Sequence, residues 1–256
     1  MKYIKYLILV FLCVISFYVS DKLLLYVENL SPIMQTINQV DDFDEYEPVN
    51  AIIDGNTIIP GKKGRIINKR ETYLKMNDFG AFNDTFYVYD YTEPDISLKD
   101  NLDKVIVGGN DKKKISIIVD TDKFDAYFNE NNIKISKLVK SEDMINNKDN
   151  VDYINANLDE DAFYNLNYYL KRKKLNNKIC LVGLSNINVC KTLKYYLVEP
   201  NLNLYHLNVL AIKTKLTGGS ILFVHDDVSL SELKVIINEI NYKNLEITSL
   251  SSQIEE

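Results

Sequence analysis

The sequence predicts an α/β fold whose sheet is mostly parallel and either open or closed like a barrel. Four apolar runs predict strands: ISIIV at 115–119, IKISKLV at 133–139, KICLVG at 178–183 and SILFVH at 220–225. Segments with apolar residues at helical spacing lie between and after these runs. Strands that alternate with helices pair in parallel, so this order indicates β/α units.

The helices are predicted from their terminal residues. Asp159 to Asp161 open one helix and the basic run at 171–174 closes it, an order that complements the helix dipole. Ser229 and Glu232 have capping-box spacing, and apolar residues follow at i, i+3, i+4 and i+7. Shorter elements complete the prediction: helices at 122–131 and 187–197, and strands at 203–210 and 245–250.

Composition excludes several classes of function. The chain has 256 residues with 30 Lys+Arg against 36 Asp+Glu, a net charge of −6, which argues against general nucleic-acid binding. Three cysteines exclude a disulfide-stapled scaffold and a multi-cysteine zinc ribbon. Only two histidines are present, His206 and His225, so a site that needs several imidazoles is disfavoured.

Residues 1–26 read as a membrane anchor or signal segment. Lys2 and Lys5 precede an uncharged apolar run at 6–19. Cleavage after Ser20 would place the bulky Tyr18 where a signal peptide needs a small residue, so an uncleaved anchor is favoured over a cleaved signal. Lysines on the short side keep that end inside, which predicts a single-pass protein of the cell membrane with most of its chain extracytoplasmic.

Three segments follow the anchor. Residues 27–48, which include an acidic patch, predict a solvated stalk. Residues 49–111 predict a β-rich accessory segment with a hairpin around Asp54-Gly55, a helix capped by Asn68 and Gly80, and a strand at 85–91. Residues 112–256 form the predicted β/α domain.

Cys180 and Cys190 lie ten positions apart in this domain. They read first as small buried apolar residues, and outside the membrane a disulfide between them is the alternative.

The stretch LTGGSILFVHDDVSLSELKVIINEINYKNLEITSLSSQI at 216–254 resembles the end of polysaccharide deacetylases, the NodB-homology family. That family closes with a glycine, a strand ending in Leu-x-His-Asp, a helix and a final strand. The counterparts here are Gly219, 222–226, 230–242 and 247–250. KKISIIVDTDKFDAYFNENNIKISKLV at 113–139 resembles the family's first strand, carboxylate turn, helix and second strand. The resemblance implies a reduced or distorted (β/α) barrel, in a membrane-anchored member from a low-GC Gram-positive bacterium.

Enzymes of that family remove an N-acetyl group from a sugar with a divalent metal that activates water. One aspartate acts as base, while a second aspartate and two histidines in H-x-x-x-H spacing hold the metal. Asp120 matches the base, but Thr121 stands at the metal-ligand position and Asp122 comes one residue late. Residues 140–200 contain no histidine, so that motif is absent. His225 matches the late-strand histidine that serves as acid or oxyanion partner, which makes Asp120, Asp122 and His225 remnant catalytic positions.

Three hypotheses follow. The favoured one is a catalytically degenerate protein that binds a cell-wall or surface glycan, without a cofactor and with no metal ligands or substrate-binding residues identified. The second is an active carbohydrate N-deacetylase with a divalent metal such as zinc. Its metal would be held by an unusual set of ligands, drawn from Asp120, Asp122, His206, His225 and Asp226. The third is an envelope scaffold that binds a protein partner.

Overall fold

The computed structural model describes residues 2–40, 45–146 and 150–256, and it divides the chain into two compact units. The N-terminal unit comprises Met1–Glu47 and Gly64–Thr92, and the barrel unit comprises Pro48–Lys63 and Glu93–Glu256. This division differs from the predicted boundary at residue 112. Residues 48–63 and 93–111 contribute strands that pair with later strands of the barrel unit, so they belong to the same fold.

The helices are α1 (Lys2–Leu30), α2 (Pro32–Gln39), α3 (Lys69–Phe79), α4 (Asp125–Glu130), α5 (Glu160–Arg172), α6 (Ile187–Thr192), α7 (Val209–Lys215), α8 (Leu230–Tyr242) and α9 (Leu250–Ile254). The strands are β1 (Ile52–Asp54), β2 (Thr57–Ile59), β3 (Gly64–Ile67), β4 (Tyr89–Thr92), β5 (Val105–Ile106), β6 (Lys114–Val119), β7 (Ile135–Val139), β8 (Val151–Asn155), β9 (Ile179–Leu181), β10 (Tyr196–Val198), β11 (Leu202–Leu204), β12 (Ile221–Val224) and β13 (Glu246–Thr248). Short 3₁₀ turns lie at Asp84–Phe86, Glu142–Met144 and His206–Asn208.

In the N-terminal unit, α1 extends beyond the predicted apolar run, and its stretch Val10–Leu30 is long and apolar enough to cross a membrane. Ser31 separates α1 from α2, whose buried Met34 and Ile37 pack with Tyr73 and Met76 of α3. Residues 32–39 of the predicted stalk therefore belong to a folded core. Most of the acidic patch, at 41–44, lies outside the described residues.

The predicted helix after Asn68 is present as α3. The Asn68 side chain accepts a hydrogen bond from the Glu71 amide, and Gly80 ends the helix at φ +85°. The strand predicted at 85–91 is mostly wrong, because the Asn83 side chain caps a 3₁₀ turn and β4 begins only at Tyr89.

The barrel unit contains two sheets. One has the order β1-β2-β5-β10-β9, and the other has the order β11-β12-β6-β7-β8 with β13 beside β6. All pairs are parallel except the β1–β2 hairpin, in which Gly55 has φ +56° as the Asp-Gly turn requires. A bridge between Tyr153 and Asn176 links β8 to the residue stretch before β9. This arrangement is an α/β distorted barrel, as predicted.

The interior is filled by alternate residues of both sheets, because successive side chains of a strand point to opposite faces. The inner residues include Ile58, Ile106, Ile118, Leu138, Ile154, Leu181, Val198 and Phe223, with Leu250 and Ile254 of α9. The outer face of the six-stranded sheet packs against residues of α4, α7 and α8. The barrel interior is thus a packed core, and ligands reach the unit only at its ends or surface.

The helix predicted at 187–197 is wrong in its second half. It stops at Thr192, because Lys194 adopts φ +56° and the Tyr195 amide turns back to the Cys190 carbonyl at 2.9 Å. Tyr196–Val198 then form β10, a central strand between β5 and β9. Pairing on both edges outweighs the helical spacing of these residues.

Of the two alternatives for the cysteine pair, the structure contains the disulfide. Cys180 of β9 and Cys190 of α6 are bonded with their Cα atoms 6.4 Å apart, and neither is exposed. Phe163, Tyr195 and Leu197 pack around the bond. Such bonds persist in oxidising compartments and are rare in the cytosol.

Candidate functional site

Asp120 and His225 meet at one end of the barrel. Val119 of β6 is paired in register with Val224 of β12, and the two polar residues follow directly at the carboxyl ends of these neighbouring strands. Ile118 lies in the inner core, so alternation directs Asp120, two residues later, toward the inside, and Phe223 and His225 stand in the same relation. The register thus places both candidates at the mouth of the barrel, where parallel-sheet enzymes hold their sites.

Partial burial and several neighbouring charges act on the pKa of Asp120. Partial burial raises the pKa of Asp120, and the nearby Asp226 carboxylate raises it further. The His225 side chain and the Lys123 ammonium act in the opposite direction without cancelling the rise. Asp120 thus holds its proton more readily than an ordinary surface aspartate.

The imidazole of His225 is held by two aromatic rings. The Tyr205 ring stacks on it with centroids 3.8 Å apart and planes at 16°, and the Phe223 ring meets it edge-on at 4.5 Å. Its Nε2 is buried and has no hydrogen-bond partner among the described residues. The ring is therefore fixed by packing, and one of its nitrogens has unused hydrogen-bonding capacity.

A cavity of about 230 Å³ opens beside Asp120. Its other walls are Leu138, Lys140, Met144, Ala156 and Leu184, from the carboxyl ends of β7, β8 and β9. The volume is below that of typical cavities for drug-sized ligands, about 300–1,000 Å³, so it accepts a small group rather than a whole saccharide. A longer ligand would lie across the mouth with one substituent in this cavity.

A larger cavity of about 400 Å³ lies at the opposite end of the strands. Ile179 and Tyr196, the first residues of β9 and β10, line it together with Lys178. Neither Asp120 nor His225 lines it. Chemistry and strand polarity therefore assign the candidate site to the smaller cavity.

Asp122 is not part of the mouth. Its carboxylate contacts the ammonium of Lys137, which also bonds the Asp125 carboxylate at 2.8 Å. Lys137 is only 1% exposed, and its neighbours Ser136 and Leu138 face the interior, so its own side chain lies in the outer layer. Burial alone would lower the pKa of Lys137, but hydrogen bonds from the ammonium to the two carboxylates outweigh it and raise the pKa. The structure thus commits Asp122 to a structural ion cluster.

His206 is also engaged away from the mouth. Its exposed ring places Nδ1 2.5 Å from Oε1 of Glu232, and its backbone amide donates to the Asp227 carboxylate at 3.1 Å. Glu232 belongs to the capping box of α8 with Ser229. His206 therefore acts in the structure as a partner of a helix cap.

The unusual metal set considered from the sequence does not assemble. The described residues contain no group of three or more His, Cys, Asp or Glu side chains placed to hold a metal ion. Asp122 is tied to Lys137 and His206 to Glu232, while the Thr121 hydroxyl accepts from the Lys123 amide at 3.3 Å. The residues present do not fit the metal of the deacetylase family.

Lys140, Leu184 and Tyr205 were missed by the sequence reasoning. Each follows the carboxyl end of a strand by one to three residues, and that position is the signal that would have found them. Lys137 was also missed, although a lysine inside an otherwise apolar strand indicates a buried ion pair.

No protein-family model matches the chain, and no curated protein matches it. Solved structures do. A CE4 family pseudoenzyme from Bacillus anthracis aligns with a TM-score of 0.58 and 15% identity, over 88% of this chain and 96% of that one. A mutant of the same pseudoenzyme aligns with a TM-score of 0.58 and 14% identity, over 88% of this chain and 98% of that one.

A further mutant of that pseudoenzyme, described as having restored enzymatic activity, gives a TM-score of 0.57 and 14% identity over 88% and 99% of the two chains. The aligned share extends beyond residues 112–256, so part of the predicted accessory segment belongs to the common fold. The chain therefore has the fold of the CE4 polysaccharide deacetylases, as the sequence resemblance indicated.

Proposed function

We propose that this protein is a membrane-anchored, extracytoplasmic relative of the carbohydrate deacetylases that binds an envelope glycan without hydrolysing it. The observation that carries the proposal is that the three remnant catalytic positions lie in different parts of the structure. Asp120 and His225 remain side by side at the mouth, whereas Asp122 neutralises Lys137 on the outer layer. A pseudoenzyme with the same fold gives the proposal a structural precedent.

The mouth supplies the contacts that saccharides use. The Asp120 carboxylate accepts hydrogen bonds from hydroxyl groups, and the Lys140 ammonium donates them. The Tyr205 ring, stacked on His225 and still 40% exposed, offers an aromatic face at the rim. The apolar walls beside Asp120 suit the methyl of an acyl substituent.

Glycan binding is tested with the full chain in detergent micelles and fragments of peptidoglycan and other wall polymers. We expect Asp120→Asn to weaken binding by about tenfold, because it removes the charge of a hydrogen-bond acceptor worth roughly 1–2 kcal/mol, and His225→Ala to weaken binding similarly, because it removes the ring on which Tyr205 stacks. Asp103→Asn, at an exposed position away from the mouth, is the matched control. Binding that is equal in all three variants, or absent from the wild type, contradicts the proposal and leaves the scaffold hypothesis.

Catalysis is tested on the same preparation by metal analysis after dialysis and by acetate release from acetylated chito-oligosaccharides. We expect no stoichiometric zinc and no acetate. Stoichiometric zinc together with acetate release that His225→Ala abolishes would establish the active alternative.

The proposed location has its own test. The apolar stretch Val10–Leu30 and the disulfide between Cys180 and Cys190 both suit a protein held outside the cytoplasm by its N-terminus. We expect the protein to fractionate with membranes, and protease added to intact spheroplasts to digest residues 27–256. A cytoplasmic marker protein that stays intact is the control, and protection of residues 27–256 would show that the topology is wrong.

A further inference from the structure

The exposed leucines of the barrel unit share one location. Among its described residues, the exposed leucines all lie in a loop or a first helical turn after the carboxyl end of a strand. These leucines, the leucine rim, are Leu158, Leu184, Leu207, Leu210 and Leu230. At the other end, the turns before the strands are polar and contain Asn132, Lys178, Lys194 and Asn244 in the left-handed conformation. The exposed leucines of the barrel unit therefore lie at the carboxyl ends of its strands.

The leucine rim flanks the mouth on both sides. Strand order places β11 and β12 on one side of Asp120, and β8 followed by β9 on the other. Leu207 is 93% exposed and Leu210 is 76% exposed on the first side. On the second side, the loops after β8 and β9 are joined by a hydrogen bond in which Asn186 Nδ2 donates to the Leu158 carbonyl at 2.8 Å. Five exposed leucines at one end of a domain suit an interaction surface.

The chain itself indicates what this surface meets. The stretch Val10–Leu30 is apolar and long enough to span a bilayer, and Pro48 begins the barrel unit 18 residues after Leu30. A fully extended chain of that length reaches at most about 65 Å. With the helix inserted, the barrel unit stays close to a lipid surface, and this tether makes weak individual contacts effective.

We propose that the leucine rim docks onto the surface of the bilayer that holds α1. The leucines project from four separate loops, a pattern that suits shallow insertion among lipids, whereas leucine is under-represented among the residues that dominate protein–protein binding. Asp226 and Asp227 lie at the same end of the barrel as the leucine rim. The attraction of the rim to the bilayer is therefore apolar and does not need anionic headgroups. The proposal does not rest on glycan binding; because Leu184 also lines the cavity beside Asp120, docking and glycan binding would compete for the mouth.

The test uses the full chain reconstituted in phosphatidylcholine vesicles, in a Cys13→Ser background so that added thiols are labelled alone. A bimane fluorophore is attached at Leu207→Cys or, as the matched control, at Tyr242→Cys. Tyr242 is 81% exposed at the end of α8, next to the amino ends of the strands. We expect lipids that carry a quenching doxyl group to quench position 207 at least about twofold more than position 242.

A second experiment tests whether the rim leucines cause the lipid contact. With the fluorophore at Leu158→Cys, the changes Leu207→Ser and Leu210→Ser should reduce quenching toward the value at 242, while Val235→Ser and Tyr242→Ser should leave it unchanged. Far-UV circular dichroism checks that each variant is folded. Equal quenching at 207 and 242, no quenching at 207, or quenching at 158 that survives loss of both leucines would each overturn the docking. Capture of a protein at the rim with no lipid contact would do the same.

Discussion

Replacing Leu222 by aspartate is expected to unfold the barrel unit. Leu222 is fully buried in β12, paired with Leu202 on one side and Ile117 on the other. The change removes about 1.5–3 kcal/mol of apolar burial and also places a carboxyl group, with no partner, among the aliphatic residues of the outer core. The combined cost approaches the whole stability of an ordinary domain, about 5–15 kcal/mol. Near-UV circular dichroism of the 18 tyrosines in detergent micelles measures the loss.

Leu207→Asp is the control for this experiment. It introduces the same side chain at a position that is almost fully exposed, so we expect a change in the free energy of unfolding within about 0.5 kcal/mol. A Leu222→Asp protein as stable as Leu207→Asp would show that the strand assignment of SILFVH is wrong.

The strands that the sequence predicted best are those with unbroken apolar runs. ISIIV makes up β6 except for Lys114, and SILFVH contains β12. These are adjacent central strands of the six-stranded sheet, and burial on both faces leaves few polar positions in their sequence. The caps at Asn68, Asp159 and Ser229 were equally local signals, and each side chain accepts the backbone hydrogen bond that its position requires.

The elements that were missed depend on contacts distant in sequence. β10 lies in a stretch with helical spacing and becomes a strand because β5 and β9 pair with both its edges. β5 has only two residues, too few for a periodic pattern, and it joins residues 57–58 to the rest of the sheet. The boundary predicted at 112 failed to anticipate this pairing for the same reason.

The sequence predicts the positions of two of the three candidate site residues. The register of parallel strands brings Asp120 and His225 together, and both strands were evident in the sequence. The position of Asp122 was not, because the partner that holds it is Lys137, in the next strand. Asp122 lies three residues beyond the end of β6, where strand alternation no longer fixes the layer that a side chain faces, and the ion cluster decides it.

The ion cluster provides the second large effect. We expect the double variant Asp122→Asn and Asp125→Asn to lose about 3–5 kcal/mol of stability, because the buried ammonium of Lys137 would keep its charge without a compensating carboxylate. Adding Lys137→Met to that variant should restore most of the loss, since an apolar side chain of similar length fits a buried position. Chemical denaturation at neutral pH measures both proteins.

The pH dependence of stability separates this cluster from simple packing. In the wild type the two carboxylates raise the pKa of Lys137 above its unfolded value of about 10.4, so the stabilisation is complete below that pH and is lost as pH rises through the folded pKa. In the double variant only burial remains, which lowers the pKa of Lys137, so its stability should increase as pH rises toward about 10. The slopes of unfolding free energy against pH should therefore have opposite signs in the two proteins, and the variant that also carries Lys137→Met should show neither contribution. Equal slopes in all three would mean that the Lys137 ammonium is solvated in the folded protein, and Asp122 would then be free to serve the mouth.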